Sequence, residues 1–367
     1  MLRARYIMIG GFLGAGKTTA ILRAARMLDE RGLRVGLITN DQSVGLVDTA
    51  MLGSTSLPTE EISGGCFCCK FNSLVEAAER LTDETRPDVF LAEPVGSCTD
   101  LQATVSYPLK HLYGESYSVA PLSVLIDPIR AQRLLGLRPG KNFSPKVGYI
   151  YGKQLEEADL IVINKCDLLD DADLDALEQR LRASYPQADV MRISARRGDG
   201  VESWLDRVIG SESGGRESMD IDYDVYADGE ALLGWLNASA TLTGTEFDGN
   251  ALLQHLVSDI GGRVLGAGIE IAHLKATLAP SAGLDLAVAN LVREDANSEL
   301  SHRLSDPLDR GDLIVNLRAE GDPETLRDEV LHAVAAAANR WGIQAEIQHA
   351  EAFRPSRPNP THRYASG

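Results

Sequence analysis

Tyr6-Ile7-Met8-Ile9 runs into Gly11-Phe12-Leu13-Gly14-Ala15-Gly16-Lys17-Thr18-Thr19, and Ala20-Ile21-Leu22 then opens an amphipathic stretch that reaches Arg31. An apolar strand, a glycine loop and a helix in this order form a phosphate-binding loop, which fixes the ligand class. Gly11, Gly14 and Gly16 let the backbone curl, so that successive N–H groups around Ala15 and on toward Thr19 point at phosphate oxygens. The helix N-terminus adds its partial positive charge. Lys17 is expected to reach the β- and γ-phosphates. Thr18 offers a hydroxyl to Mg²⁺, an ion that takes an oxygen octahedron built largely from phosphates and water.

Working outward, short apolar runs alternate with helical patterns as far as Ile209. That alternation is the signature of a parallel sheet covered by helices. Expected strands are Arg5 to Ile9, Val35 to Thr39, Val89 to Ala92, Ser123 to Ile126, Leu160 to Ile163 and Val190 to Ile193. The fold expected is therefore α/β, a P-loop NTPase domain over residues 1–209. Residues 210–219 are small and polar and read as a linker. Residues 220–350 then show a strand-rich pattern, with strands at Ile221 to Tyr226, Trp235 to Leu242, Ile269 to Leu278, Leu284 to Val292, Leu313 to Leu317 and Ile343 to Gln348. Helices are expected near Asn250 to Ile260 and from Glu324 to Trp341, giving a smaller α+β domain of ferredoxin-like type. A proline-bearing tail over 351–367 reads as irregular.

The chain has 367 residues, 44% of them hydrophobic, enough for two cores. A formal net charge of −17 opposes any sequence-independent grip on nucleic acid or an anionic membrane, because both need a basic surface. No apolar run reaches the roughly 20 residues that span a bilayer, and the apolar residues after Arg5 are the first strand rather than a signal peptide, so the cytoplasm is expected. Of five cysteines, three cluster at Cys66, Cys68 and Cys69, with Cys98 and Cys166 elsewhere. In a reducing compartment such crowding points to metal or redox chemistry.

The base is read next. Asn164-Lys165-Cys166-Asp167 follows an apolar strand. The Asp167 carboxylate can accept from both the ring N–H and the exocyclic amine of guanine, a donor pair that adenine lacks. Lys165 is expected to lie over the base, and Asn164 to tie this loop to the phosphate loop. Ser194-Ala195-Arg196, about a strand and helix later, resembles the second guanine-side loop of GTPases. Upstream, Val89-Phe90-Leu91-Ala92-Glu93-Pro94-Val95-Gly96 delivers an acid and a glycine to the γ-phosphate side. Gly96 is expected to bring a backbone N–H to that phosphate, so that the following loop feels the loss of the phosphate directly. Asp41 comes just after the second strand, placed to approach Mg²⁺ or the attacking water. Gly64-Gly65-Cys66-Phe67-Cys68-Cys69-Lys70 offers soft thiolates, which select Zn²⁺ and its neighbours. An extended backbone would put Cys66 and Cys68 on one side, and Cys98, water or a partner protein would complete a tetrahedral set. Buried cysteines also behave as small hydrophobes, which suits Cys166 and Cys69.

The phosphate loop, the Cys-x-Cys-Cys element, Glu93-x-x-Gly96 and Asn164 to Asp167 together resemble the CobW-like metallochaperone GTPases, relatives of the nickel-insertion GTPases of urease and hydrogenase maturation. The resemblance covers about the first 210 residues. It implies hydrolysis of GTP to GDP with Mg²⁺, with Lys17, Asp41 and Glu93 at the reacting end. It also implies Zn²⁺ or another transition metal at the cysteines, and delivery to a client metalloprotein or corrinoid protein; a homodimer stays open. Three departures stand out. The family often has Glu-Thr-Ser-Gly where this chain has Glu93-Pro94-Val95-Gly96, an acidic residue where this chain has Val44, and a histidine-rich tract where this chain has seven scattered histidines. Three rivals are a GTPase chaperone of a corrinoid enzyme with only structural cysteines, a small-molecule P-loop kinase, which leaves Asn164 to Asp167 unexplained, and an iron–sulfur carrier.

Overall fold

Strand β1 (Ala4–Gly10) is buried along nearly its whole length, as a strand covered on both faces must be. In the computed structural model, which describes residues 3–41, 57–215, 217–281, 285–293 and 298–367, β1 lies at the centre of a parallel sheet. Its neighbours are β4 (Val89–Glu93) and β6 (Ser123–Ile126). Outward from β4 come β2 (Val35–Asp41) and β3 (Thr59–Ser63). Outward from β6 come β7 (Leu160–Ile163) and β8 (Asp189–Arg192). The order is β3-β2-β4-β1-β6-β7-β8, and the short β5 (Tyr117–Val119) also pairs with β1. Chain order reverses around β1, so the crevice beyond its carboxyl end is where such a sheet binds ligands.

Helices cover the sheet for reasons visible in their spacing. In α1 (Lys17–Glu30), Ala20, Ile21, Ala24, Ala25 and Leu28 fall on one stripe and are buried. The next helices are α2 (Phe71–Thr85), α3 (Tyr107–Tyr113), α4 (Pro128–Leu134), α5 (Pro145–Glu157), α6 (Asp171–Ser184) and α7 (Val201–Gly210). A π-helical turn, Gln102–Ser106, leads into α3. Trp204 of α7 is fully buried and its indole N–H donates to Ser123 Oγ at 3.0 Å, which satisfies the one polar atom of that ring.

Contacts divide the described chain into two units, the first holding residues 3–41, 57–229 and 357–367, the second 230–356. The polar stretch 210–219 lies within the first. Ser213 N–H donates to Val119 O, Ser218 N–H to Ala365 O, and Glu217 bridges Ser366. Ile221 to Tyr226, expected as a strand, leads into α8 (Tyr223–Leu232). Asp222 explains the difference, because its carboxylate accepts from the N–H groups of Asp224 and Val225 and starts the helix.

The second unit is an antiparallel sheet of order β12-β11-β10-β13-β9-β14, made of β9 (Leu233–Phe247), β10 (Glu270–Pro280), β11 (Ala287–Leu291), β12 (Glu299–His302), β13 (Leu308–Glu320) and β14 (Gln344–Phe353). Two helices, α9 (Gly249–Gly266) and α10 (Pro323–Trp341), are capped by Asp248 and Asp322. Setting the β11–β12 hairpin aside, the strands run 4-1-3-2 in a β-α-β-β-α-β chain. That is the ferredoxin-like arrangement expected. Val44 and Leu284 lie outside the described residues, and of Asp41 only the backbone is described.

Candidate functional site

The loop after β1 needs its glycines. Gly11, Gly14 and Gly16 have φ of 128°, 79° and 88°, where a side chain is strained. A Cβ on Gly11 would lie 2.2 Å from Leu125 O, and one on Gly16 would lie 2.5 Å from Asn164 Nδ2. Lys17 and Thr18 open α1 and are buried, whereas Thr19 is exposed. Thr18 Oγ1 donates to Glu93 Oε1 at 3.0 Å, and Lys17 Nζ lies 4.0 Å from the same oxygen. Glu93 reaches this point because β4 sits between β1 and β2, with Glu93 in register with Thr39. Gly96 packs so tightly against the phosphate loop that a Cβ would lie 2.8 Å from Leu13 Cδ2 and 3.1 Å from Leu13 N.

The base-side residues converge on the same loop. Asn164 Nδ2 donates to Ala15 O at 2.8 Å, and its Oδ1 accepts from Ala195 N at 3.0 Å. One buried amide thus joins the phosphate loop to both expected guanine loops. Lys165, held at φ 54°, donates to Gly14 O at 2.7 Å and pairs with Asp127 at 3.0 Å. Asp167 stands 3.6 Å from the exposed Arg197, and Ser194 and Ala195 are buried. Two residues not expected from the sequence also serve this loop. Asp127 caps α4, and Arg130 donates to Leu13 O at 2.8 Å while lying over the Phe12 and Phe143 rings. Their sequence signal is the Asp-Pro pair that opens α4.

The cysteine segment is a turn, not the extended strand expected. Cys69 N–H and Lys70 N–H both donate to Cys66 O, at 3.0 and 2.9 Å. Gly64 and Gly65, at φ 76° and 152°, allow the chain to enter it. The turn brings the Cys69 sulfur into the group with Cys66 and Cys68. Sγ separations are 2.6 Å for Cys66–Cys68, 3.2 Å for Cys66–Cys69 and 3.7 Å for Cys68–Cys69. Tetrahedral Zn²⁺ with sulfurs at about 2.3 Å spaces them about 3.8 Å apart, so the donor set suits a soft or borderline ion once the Cys66 and Cys68 sulfurs, 2.6 Å apart, open by about 1.2 Å. Cys98 is buried, and the thiols that lie within 4.8 Å of one another among the described residues are those of Cys66, Cys68 and Cys69. Bonding from Cys68 and Cys69 holds Cys66 well below the ordinary thiol range, with Cys98 adding to this, whereas bonding to Cys66 and burial push Cys68 up. Cys166 stands apart from this group, beside Asp167.

Two amides lock these parts together. Asn40, next to Asp41, donates to Ile62 O at 2.9 Å and Gly65 O at 2.6 Å, fixing the end of β2 to the start of the cysteine turn. Gln154 of α5 donates to Gly96 O at 3.0 Å and Cys98 O at 2.8 Å. Beyond it, Glu157 accepts from Thr99 Oγ1 and Gln102 N, each at 3.0 Å. Burial raises its carboxyl from the ordinary 4.5 to about 8.

A central strand ending in a glycine loop, an acid on the neighbouring strand and an Asn-Lys-x-Asp loop define a P-loop nucleotide-binding domain, here with a thiol cluster beside it. The chain belongs to the CobW/HypB/UreG family: the model of that family's nucleotide-binding domain matches residues 5–192. It is 28% identical over 211 residues to the zinc chaperone CobW of a Sinorhizobium species, covering 52% of this chain and 59% of that protein. It is 29% identical over 194 residues to the hydrogenase maturation factor HypB of Azotobacter vinelandii, covering 52% and 55%. With the zinc chaperone YeiR of Escherichia coli K12 the identity is 30% over 161 residues, covering 44% and 46%. The chain thus spans about half the length of the curated relatives it matches. Among solved structures, HypB of Archaeoglobus fulgidus aligns with TM-score 0.41 and 20% identity over 56% of this chain and 89% of that one. The zinc-bound YjiA GTPase of E. coli aligns with TM-score 0.40 and 16% identity over 92% and 99%. No described helix is long and apolar enough to cross a membrane.

Proposed function

We propose that this chain is a cytoplasmic GTP-hydrolysing metallochaperone that carries Zn²⁺ or a related transition metal on Cys66, Cys68 and Cys69, the set being completed by Cys98, water or a partner protein, and hands it to a client metalloprotein. One observation carries the proposal: Gly96 and Cys98 share a loop. Gly96 packs on Leu13 of the phosphate loop, Gln154 binds the carbonyls of Gly96 and Cys98, and the buried Cys98 helps to hold the Cys66 thiol below its ordinary range. A change at the phosphate end therefore moves through two residues of backbone to reach the metal end.

Guanine is held by Asp167, with Lys165 over the ring, while Asn164 keeps the base loops in register with the phosphate loop. Lys17 neutralises charge on the β- and γ-phosphates, and Gly96 offers its N–H to the γ-phosphate. Thr18 and Glu93 are hard oxygen donors 3.0 Å apart beside Lys17, so they suit Mg²⁺, with Asp41 near the attacking water. When bound, that ion supplies charge neutralisation across the phosphates. Among the described residues no arginine points to a role as a finger, and turnover is slow.

The test pairs two measurements on the full chain. Zinc retained after gel filtration is expected at one equivalent in the wild type and is lost in the Cys66→Ser, Cys68→Ser double variant. Phosphate release from GTP is expected in the wild type and is abolished in Lys17→Ala. Wild-type release by Lys17→Ala, or equal zinc in wild type and double variant, contradicts the proposal.

A further inference from the structure

The cysteine turn and the loop that follows Cys98 are both bound by residues 359–364. Asn359 N–H donates to Cys69 Sγ at 3.2 Å, Thr361 N–H to Cys68 O at 2.8 Å, and Thr361 Oγ1 to Cys69 O at 3.2 Å. His362 then meets the Phe71 ring edge-on at 5.0 Å. The next residues hold the other loop. Arg363 Nε donates to Asp100 Oδ2 at 2.8 Å, and Tyr364 N–H to Ala103 O at 2.9 Å.

Both anchor points are built to receive it. Asp100 is buried with φ 66°, two residues after Cys98, and its carboxylate also accepts from Tyr223 O–H at 2.6 Å. In the π-helical turn, the i→i+5 donor facing the Ala103 carbonyl would be Pro108, which has no N–H. The Tyr364 amide takes that carbonyl instead. The strap itself is stiff. Pro358 and Pro360 fix their own φ and restrict Asn359 to extended backbone, so docking it costs little chain entropy. Arg357 pairs with Asp224 at 2.5 Å at the near end.

We propose that residues 357–364 form a clasp that positions the metal site, holding Cys98 against the Cys66–Cys69 turn and supplying, from the Asn359 amide, the outer hydrogen bond of the Cys69 thiolate. The inference rests on the cysteine cluster being a metal site. Hydrogen bonds to ligand atoms from outside the ligand set orient them and tune their basicity, and losing one costs about 10- to 100-fold in metal affinity. Arg363 and Asn359 act as positioning residues: Arg363 closes the clasp, and Asn359 tunes one sulfur.

The experiment uses the full chain with Co²⁺ as a spectroscopic probe and Zn²⁺ in competition with a chromophoric chelator. Arg363→Ala is expected to weaken Zn²⁺ binding by about 10- to 100-fold and to reduce the thiolate-to-Co²⁺ charge-transfer band, with Arg363→Lys recovering part of both. Asn359→Pro removes one N–H from a segment that already suits proline, and is expected to weaken Zn²⁺ binding by about tenfold while the strap stays docked. A second readout needs no metal: alkylation of Cys69, followed by mass spectrometry, is expected to quicken in Arg363→Ala and not in Asn359→Pro. If the wild type takes up Co²⁺ but both variants match it in affinity, spectrum and alkylation, the clasp is overturned alone. If the wild type takes up no Co²⁺, the metal reading fails and this inference with it.

Discussion

Asp167 meets Arg197 at 3.6 Å at the rim of the base loop, and guanine would replace that exposed partner with two directed N–H donors. Exposed ion pairs contribute little, so the exchange favours the base. Asp167→Asn is expected to lower GTP affinity by about two orders of magnitude and to raise that for xanthosine triphosphate, because the amide reverses one donor–acceptor pair. Competition binding with GTP, XTP and ATP checks this, and a wild type that binds ATP as well as GTP contradicts the assignment. Gly96 permits an equally local test. A methyl there must displace Leu13, including its backbone nitrogen at 3.1 Å. Gly96→Ala is expected to weaken a non-hydrolysable GTP analogue by about tenfold and to leave GDP nearly unchanged, since the loop is read only through the last phosphate. Equal loss for both nucleotides would place the damage in the phosphate loop itself.

At the scale of the element, α5 carries the group with the clearest pH signature. Glu157 keeps its proton to about 8 in the folded chain because burial opposes the charge, whereas an unfolded chain releases it near 4.5. Between those values the unfolded state binds fewer protons, so stability falls as pH rises through that window. Glu157→Gln has no proton to lose and is expected to flatten that fall; thermal melts of both proteins at intervals from pH 5 to 8 check it, and parallel curves contradict it. How far the elements could be read beforehand follows from what each one buries. The six strands of the first sheet that were expected are apolar runs covered by helices on both faces. Thr59–Ser63 was missed because an edge strand with the sequence Thr-Glu-Glu-Ile-Ser carries two charges and little apolar signal. Ile221, Tyr223 and Val225 alternate like a strand, but the Asp222 side chain decides the local backbone through hydrogen bonds that no hydrophobic period records.

For the whole molecule, the phosphate loop, the base loop and the thiols were legible because each needs particular residues at fixed spacing. The joints between them were not. Asn40, Gln154 and Thr361 act through backbone partners up to 292 positions away, as Thr361 does with Cys69, and Asp100 acts through the distant side chains of Tyr223 and Arg363. Such contacts follow from the fold, and their residues look ordinary in the chain. On the proposed function those joints would make nucleotide and metal one equilibrium: by linkage, whatever factor GTP applies to metal affinity, metal applies to GTP affinity, and a tenfold factor needs only about 1.4 kcal/mol. The central claim is therefore tested by titrating Zn²⁺ against a chromophoric chelator in the full chain, once saturated with GDP and once with a non-hydrolysable GTP analogue. A dissociation constant that differs by about tenfold or more between the two states, with the difference absent in the Cys66→Ser, Cys68→Ser variant, is the predicted result. Identical zinc affinity in both nucleotide states of the wild type would contradict it.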